Sequence, residues 1–264
     1  SMQQAYETWQ QKAYGKAAID FGLHLILTEF TDQLAPDMDT MVKREGVTSF
    51  KLFTAYPGVF LADDATIYRA MKHTASNGAL ICMHAENGGV IDLIVQRLIA
   101  EGKTTPNYHA VSRPAIAEEE AAHRVIALSE MAGVPVYIVH VSSHQAMEQI
   151  REARDRGLPT YGETCPQYLY LAYEDYADGS FDGAKFVCSP PIRERSNQEH
   201  LWHALATDDL QAVSTDHCPF CMNEGYKGLP MQKQLGKARF DKIPNGVPGV
   251  ENRLHLVYKG GVVD

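Results

Sequence analysis

Apolar and polar positions follow two different periods along this chain, and the switches between them mark out its elements. Short, nearly continuous apolar runs occur at Ser49–Phe53 (SFKLF), at 79–84 (ALICMH) and at 134–141 (VPVYIVHV). Thr160–Thr164 (TYGET) and 211–215 (QAVST) are shorter or looser versions. Runs that are apolar on both faces are what strands buried in a parallel sheet show. Residues 17–28 (AAIDFGLHLILT) alternate partially and predict one more strand. Helical spacing fills the gaps: a polar helix over 3–14, one over 37–44 ended by Gly46, and one opened by Asp63 and Asp64 and stopped at Asn77-Gly78. Further helices are predicted over 89–100, 118–132, 143–156, 195–207 and 250–258, with a polar loop over 103–113. Aromatic-rich turns lead to 186–189, and residues 216–249, rich in Gly and Pro, read as a long loop. Length priors mark such a loop as functional rather than filler.

Strands alternating with helices predict an α/β fold with a mostly parallel sheet of six or seven strands, doubly wound or closed into a barrel. No GxGxxG follows a strand and no GxxxxGK[ST] occurs, which favours the barrel over the nucleotide-binding folds. With 264 residues, 45% hydrophobic and 22% charged, the chain suits one large domain spanning 1–264. A formal net charge of -9 without any Lys/Arg block argues against nucleic acid or an anionic membrane as partner and for a small molecule. No apolar run approaches the roughly 20 residues of a membrane span, and the start of the chain lacks a basic-then-apolar leader, so a cytoplasmic location is expected. Five scattered cysteines (82, 165, 188, 218 and 221) read as reduced thiols rather than a disulfide framework.

Lys51 interrupts an apolar strand, and a buried ammonium must reach water, pair with an anion or be chemically changed. Taken alone, it reads as a covered stem with a solvated head. His84, His140 and Asp216 also fall at or just beyond strand ends, on the side where a parallel barrel builds its site. Each alone reads as a hydrogen-bonded rim residue or, for Asp216, a cap. Together they suit a zinc site with an open position. Lysine has no lone pair to give when charged. Reaction of its amine with carbon dioxide would make an anionic carbamate able to bridge two metal ions.

SFKLFTAY, ICMHAENG, YIVHVSS, GETCPQYL, CSPPIR, STDHCPF and IPNGVPGVENRL occur in an order and spacing that resemble the hydantoinase and dihydropyrimidinase branch of the cyclic amidohydrolases, over nearly the whole chain. The resemblance implies a (β/α)8 TIM-like barrel of a metal-dependent hydrolase. It implies two zinc ions per subunit bridged by carboxylated Lys51, with His84 and His140 on the more exposed metal and Asp216 on the more buried one. Asp216 is then also the proton shuttle, Tyr56 stabilises the oxyanion, and the backbone at Ser189 and Asn245 holds the imide or ureide edge of the ring. The implied reaction opens dihydropyrimidines or 5-substituted hydantoins to N-carbamoyl amino acids, in a homotetramer.

One departure matters. The family begins its barrel with a His-X-His pair on the buried metal, and none occurs among the eleven histidines. The family's β-sandwich is absent as well. The expectation is therefore a barrel incomplete at its N-terminal side, a piece of a longer enzyme or one with an impaired buried metal. An allantoinase-like or dihydroorotase-like activity is the alternative, although no arginine stands out for a dihydroorotate carboxylate. A non-catalytic scaffold like the dihydropyrimidinase-related neuronal proteins is disfavoured by the four ligand-type residues present. Tyr56 reads equally as a packed rim aromatic until the resemblance is applied. Cys218-Pro-Phe-Cys221 is a weak redox or structural-metal candidate and the His200/His203 pair a weak metal candidate, His217 could orient Asp216 or contact substrate, and His24 reads as a barrel residue.

Overall fold

The computed structural model describes residues 1–223 and 228–263. Its frame is a six-stranded, wholly parallel sheet in sequential order: β1 (Leu25–Ile26), β2 (Ser49–Phe53), β3 (Leu80–His84), β4 (Val136–Ile138), β5 (Thr160–Thr164) and β6 (Ala212–Val213). Helices intervene: α1 (Met2–Ala13), α2 (Ala35–Lys43), α3 (Asp64–Asn77), α4 (Gly88–Ala100), α5 (Tyr108–Val111), α6 (Ala115–Ala132), α7 (His144–Asp155), α8 (Pro166–Tyr170), α9 (Ser196–Ala206) and α10 (Arg253–Val263). Sequential parallel strands joined through helices are the winding of a β/α barrel. Six strands are formed among the described residues, where the resemblance implies a closed ring of eight.

The sheet has two unlike faces because successive strand residues point to opposite sides. Phe50, Leu52, Ile81, Met83 and Val136 are each 0% exposed and pack against the helices in the main hydrophobic cluster. Burying each such side chain contributes roughly 1.5–3 kcal/mol. The opposite set, Ser49, Lys51 and Phe53 on β2, Leu80 and Cys82 on β3, Tyr137 on β4 and Glu163 on β5, lines an open cavity of about 770 Å³. A smaller cluster of Leu98, Ala184, Val187, Phe240 and Ile243 holds the long loop against α4.

Most elements fall where the apolar pattern puts them, with Ser49–Phe53 and Thr160–Thr164 matching to the residue. Asp63 caps α3 by accepting from the Thr66 amide, and Gly78 ends it in the left-handed conformation. Three expectations are corrected. Of the strand expected over 17–28 only Leu25–Ile26 pairs; Ile19 and Phe21 find no core and stay exposed. The polar loop over 103–113 contains the short helix α5. The strand over 134–141 is reduced to Val136–Ile138, since His140 turns into the left-handed region at φ 43°. Residues 224–227 of the long loop lie outside the described residues.

Candidate active site

Backbone strain points to the site before any side chain is considered. Among the described residues four non-glycine residues have positive φ, and three of them are Tyr56 (63°), His140 (43°) and Asp216 (44°). Each such conformation costs on the order of 1–3 kcal/mol and persists where the surroundings impose it. All three follow the C-terminal ends of strands, at the rim where barrel sites are built.

Lys51, His140 and Asp216 line the same 770 Å³ cavity. Lys51 lies mid-strand rather than at the strand end, level with Cys82 on β3, and projects from the cavity face. Burial pushes its ammonium below the usual lysine range, opposed chiefly by Asp216. Its Nζ lies 4.8 Å from the centroid of the Phe53 ring. Asp216 is exposed at the mouth. His84, the last residue of β3, is 1% exposed and stands against His140, with 3.0 Å between His84 Nδ1 and His140 Nε2.

The donor set can be tested for a cation. Burial lowers the pKa of both histidines, so each is a neutral imidazole, the form that ligates metal. Two nitrogens on one tetrahedral zinc would stand roughly 3.3 Å apart, close to the spacing here. His84 Nε2 is bound at 2.8 Å to the Glu86 carboxylate, which turns Nδ1 toward His140 Nε2. His140 Nδ1 is buried without a partner among the described residues. Among the described residues no three His, Cys, Asp or Glu side chains form a metal cluster by themselves. The residues therefore fit a metal at the His84–His140 side, and completing the set depends on Lys51 becoming an anion.

Tyr56 and Asn245 line a second, neighbouring cavity of about 400 Å³ with Val59, Ile91 and Phe240. Ser189 is buried, its Oγ 3.4 Å from His109 Nε2. Burial raises the pKa of the Tyr56 hydroxyl, so it remains a donor. The Asn245 Oδ1 is buried and has no partner among the described residues. Thr54 ties the Tyr56 segment to the His84 segment: its hydroxyl donates to the Glu86 carbonyl at 2.8 Å and accepts from the Glu86 amide at 3.1 Å. Gly88, at the start of α4, lies so close that a Cβ there would stand 2.5 Å from the Ala55 Cα.

Two buried ion pairs that sequence reasoning missed brace the histidines. Arg113 Nη1 donates to Glu86 at 2.9 Å. Burial alone would raise the Glu86 carboxyl, but Arg113 and the His84 hydrogen bond hold it down at about 2. Arg193 donates to Glu118 at 2.8 Å, and Glu118 accepts from the amide and hydroxyl of Ser142, two residues beyond His140. Arg193 Nη1 also donates to the Arg113 carbonyl, which joins the two pairs. Arg113 is a cation beside the Tyr56 ring, but Glu86 already answers its charge. The signals available were an acid directly after an apolar strand and an acid among alanines on a helix.

The weaker candidates do not converge. His200 stacks on His144 at the surface, and His203 is exposed. Cys218 and Cys221 are free thiols. His217 Nδ1 accepts from the Gly249 and Val250 amides. His24 lines the first cavity and contacts Ser49 Oγ at 2.5 Å. Glu163 accepts from the Tyr137 hydroxyl in that same cavity.

A parallel β/α sheet that carries histidines, a lysine and an aspartate on one face and rim has the layout of a β/α-barrel active site. No family profile matches the chain. A D-hydantoinase of Streptomyces coelicolor is 50% identical over 262 residues, 99% of this chain and 54% of that one. One from Geobacillus stearothermophilus is 47% identical over 99% of this chain and 54% of its own. Among solved structures, a D-hydantoinase from a Bacillus species superposes with a TM-score of 0.95 at 48% identity, covering 100% of this chain and 56% of that one. The dihydropyrimidinase of Brevibacillus agri gives 0.94 at 45% identity, with the same coverages. By sequence and fold the chain is similar to D-hydantoinases and dihydropyrimidinases along its own length. It spans about half the length of the curated relatives it matches.

Proposed function

We propose that this chain, read as one barrel domain over 1–264, belongs to a zinc-dependent cyclic amidohydrolase that opens dihydropyrimidines or 5-substituted hydantoins to N-carbamoyl amino acids. The observation that carries the reading is the convergence of Lys51, His140 and Asp216 on one cavity, backed by His84, in a chain 50% identical to a D-hydantoinase. Carboxylated Lys51, His84, His140 and Asp216 would hold the two zinc ions, with the remaining ligands of the buried ion supplied from outside this stretch. When bound, the metals supply a water of lowered pKa and polarise the ring carbonyl.

The protein's own groups do the rest. Burial favours the neutral amine of Lys51, the form that reacts with carbon dioxide. Tyr56 keeps its proton and donates to the oxyanion, a contribution of about 3 to 4 kcal/mol. Asp216, exposed at the mouth, takes the proton of the attacking water and returns it to the departing nitrogen. The backbone at Ser189 and Asn245 brackets the imide or ureide edge. Free cysteines suit a cytoplasmic enzyme, and a homotetramer, checked by light scattering, completes the reading.

The test is metal analysis and hydrolysis of dihydrouracil and hydantoin by the full-length protein prepared with zinc and bicarbonate. Two zinc ions per subunit and turnover are expected. Lys51→Ala should abolish both, with short carboxylic acids partly restoring activity. Absence of metal in the wild type, or an active Lys51→Ala variant, refutes the reading.

A further inference from the structure

Lys233 is 2% exposed and has no part in the chemistry above. It sits in a 3-10 turn, Gln232–Gly236, whose own backbone is stitched to the loop after β6: the Lys233 amide donates to the Cys221 carbonyl at 3.1 Å, and the Cys221 amide to Gln232 Oε1 at 2.7 Å. Among the described residues no carboxylate pairs with the Lys233 ammonium, and burial pulls its pKa down to about 8. Its Nζ donates instead to two backbone carbonyls, Val187 at 2.9 Å and Pro244 at 2.7 Å. An ammonium buried without an anion is costly, and only charge-assisted bonds of this kind offset it.

The two carbonyls are informative by position. Val187 stands two residues before Ser189, and Pro244 immediately precedes Asn245. The Val187 carbonyl also accepts from the Gly246 amide at 3.0 Å. Gly246 in turn lies against Cys218, whose carbonyl oxygen would be 2.2 Å from any Cβ added there, and the Cys218 amide donates to Val247 at 3.1 Å. Three loop segments, those of Ser189, Asn245 and Asp216, are thus fastened together, with one ammonium joining the first two.

We infer that Lys233 is a positioning residue for the ring substrate, fixing the separation of the Ser189 and Asn245 segments; this rests on the reading of those two segments as substrate contacts. Lysine suits the task because its rotatable donors can serve two carbonyls from different loops.

The test uses Lys233→Met and Lys233→Arg in the zinc-loaded full-length protein, with dihydrouracil as substrate. Lys233→Met should raise KM about tenfold or more while kcat falls less and bound zinc is unchanged. Amide exchange at Gly246 should lose protection, and Lys233→Arg, which keeps charge and donors, should recover most of the affinity. Should Lys233→Met not fold, Lys233→Gln, which keeps two donors, takes its place. Wild-type KM with wild-type protection overturns the inference, as does parallel loss of kcat and zinc. Lost protection with unchanged KM leaves the clamp standing and overturns the substrate role of Ser189 and Asn245. Failure of both Lys233→Met and Lys233→Gln to fold also overturns it, because Lys233 would then serve the fold rather than the placement of the substrate.

Discussion

The two halves of the candidate site are built by different means. Lys51 and His84 sit on adjacent strands in continuous parallel register, Ser49 to Phe53 against Leu80 to His84, with fully buried side chains behind them. Ser189 and Asn245 sit on loops, held by a small satellite cluster and by the Lys233 ammonium. Groups proposed to share a cation need positions fixed to fractions of an ångström, which a strand ladder provides. Groups that bracket a ring through backbone atoms can be carried on loops, provided a few strong bonds set their spacing.

That difference can be broken at the strand-borne half first, where the largest effect is expected. Arg193→Met leaves Glu118 buried without its cation and should cost about 3–5 kcal/mol, read from urea unfolding. The double variant Arg193→Met/Glu118→Gln, which keeps an acceptor for the Ser142 amide, should recover part of that loss; no recovery would mean that the cost does not come from a stranded Glu118 charge. Glu86→Gln should come next. It removes the carboxylate that orients His84 and should weaken the proposed zinc binding by about 10- to 100-fold in a chelator competition. Lys233→Met should leave that competition unchanged, and equal weakening by both variants would erase the distinction between the halves.

The smallest effect concerns a site outside both halves. Asp39 on α2 accepts from Asn77, His73 and Lys43, and these bonds, Asn77 first, hold its carboxyl below the usual range. A depressed folded pKa gives stability that is present above the unfolded value, near 3.9, and lost as pH falls through the folded one. Urea midpoints at pH 7 and pH 3 should therefore converge in Asp39→Asn relative to wild type. An unchanged difference would remove Asp39 from the account.

The strands at Ser49–Phe53 and Thr160–Thr164 were legible because local pattern and tertiary burial agree there. The run over 17–28 misled, since alternation alone cannot supply a pairing partner. Lys51, His84, His140 and Asp216 could be marked by address, each a polar residue at or near a strand end. Glu86 with Arg113 and Glu118 with Arg193 could not, because partners 27 and 75 residues apart leave no periodic trace.

By itself, then, the sequence determined the parallel β/α winding, the residues offered at its rim and the lysine that needed an explanation. These follow from side-chain period and from the cost of stranding a charge, both of which act locally along the chain. Only the tertiary structure decided that Lys51 lies mid-strand facing a cavity, that two linked ion pairs brace the histidines, and that Lys233 fastens the loops opposite. Those depend on which distant groups burial brings within hydrogen-bonding distance, where a charge finds its partner through space rather than along the chain.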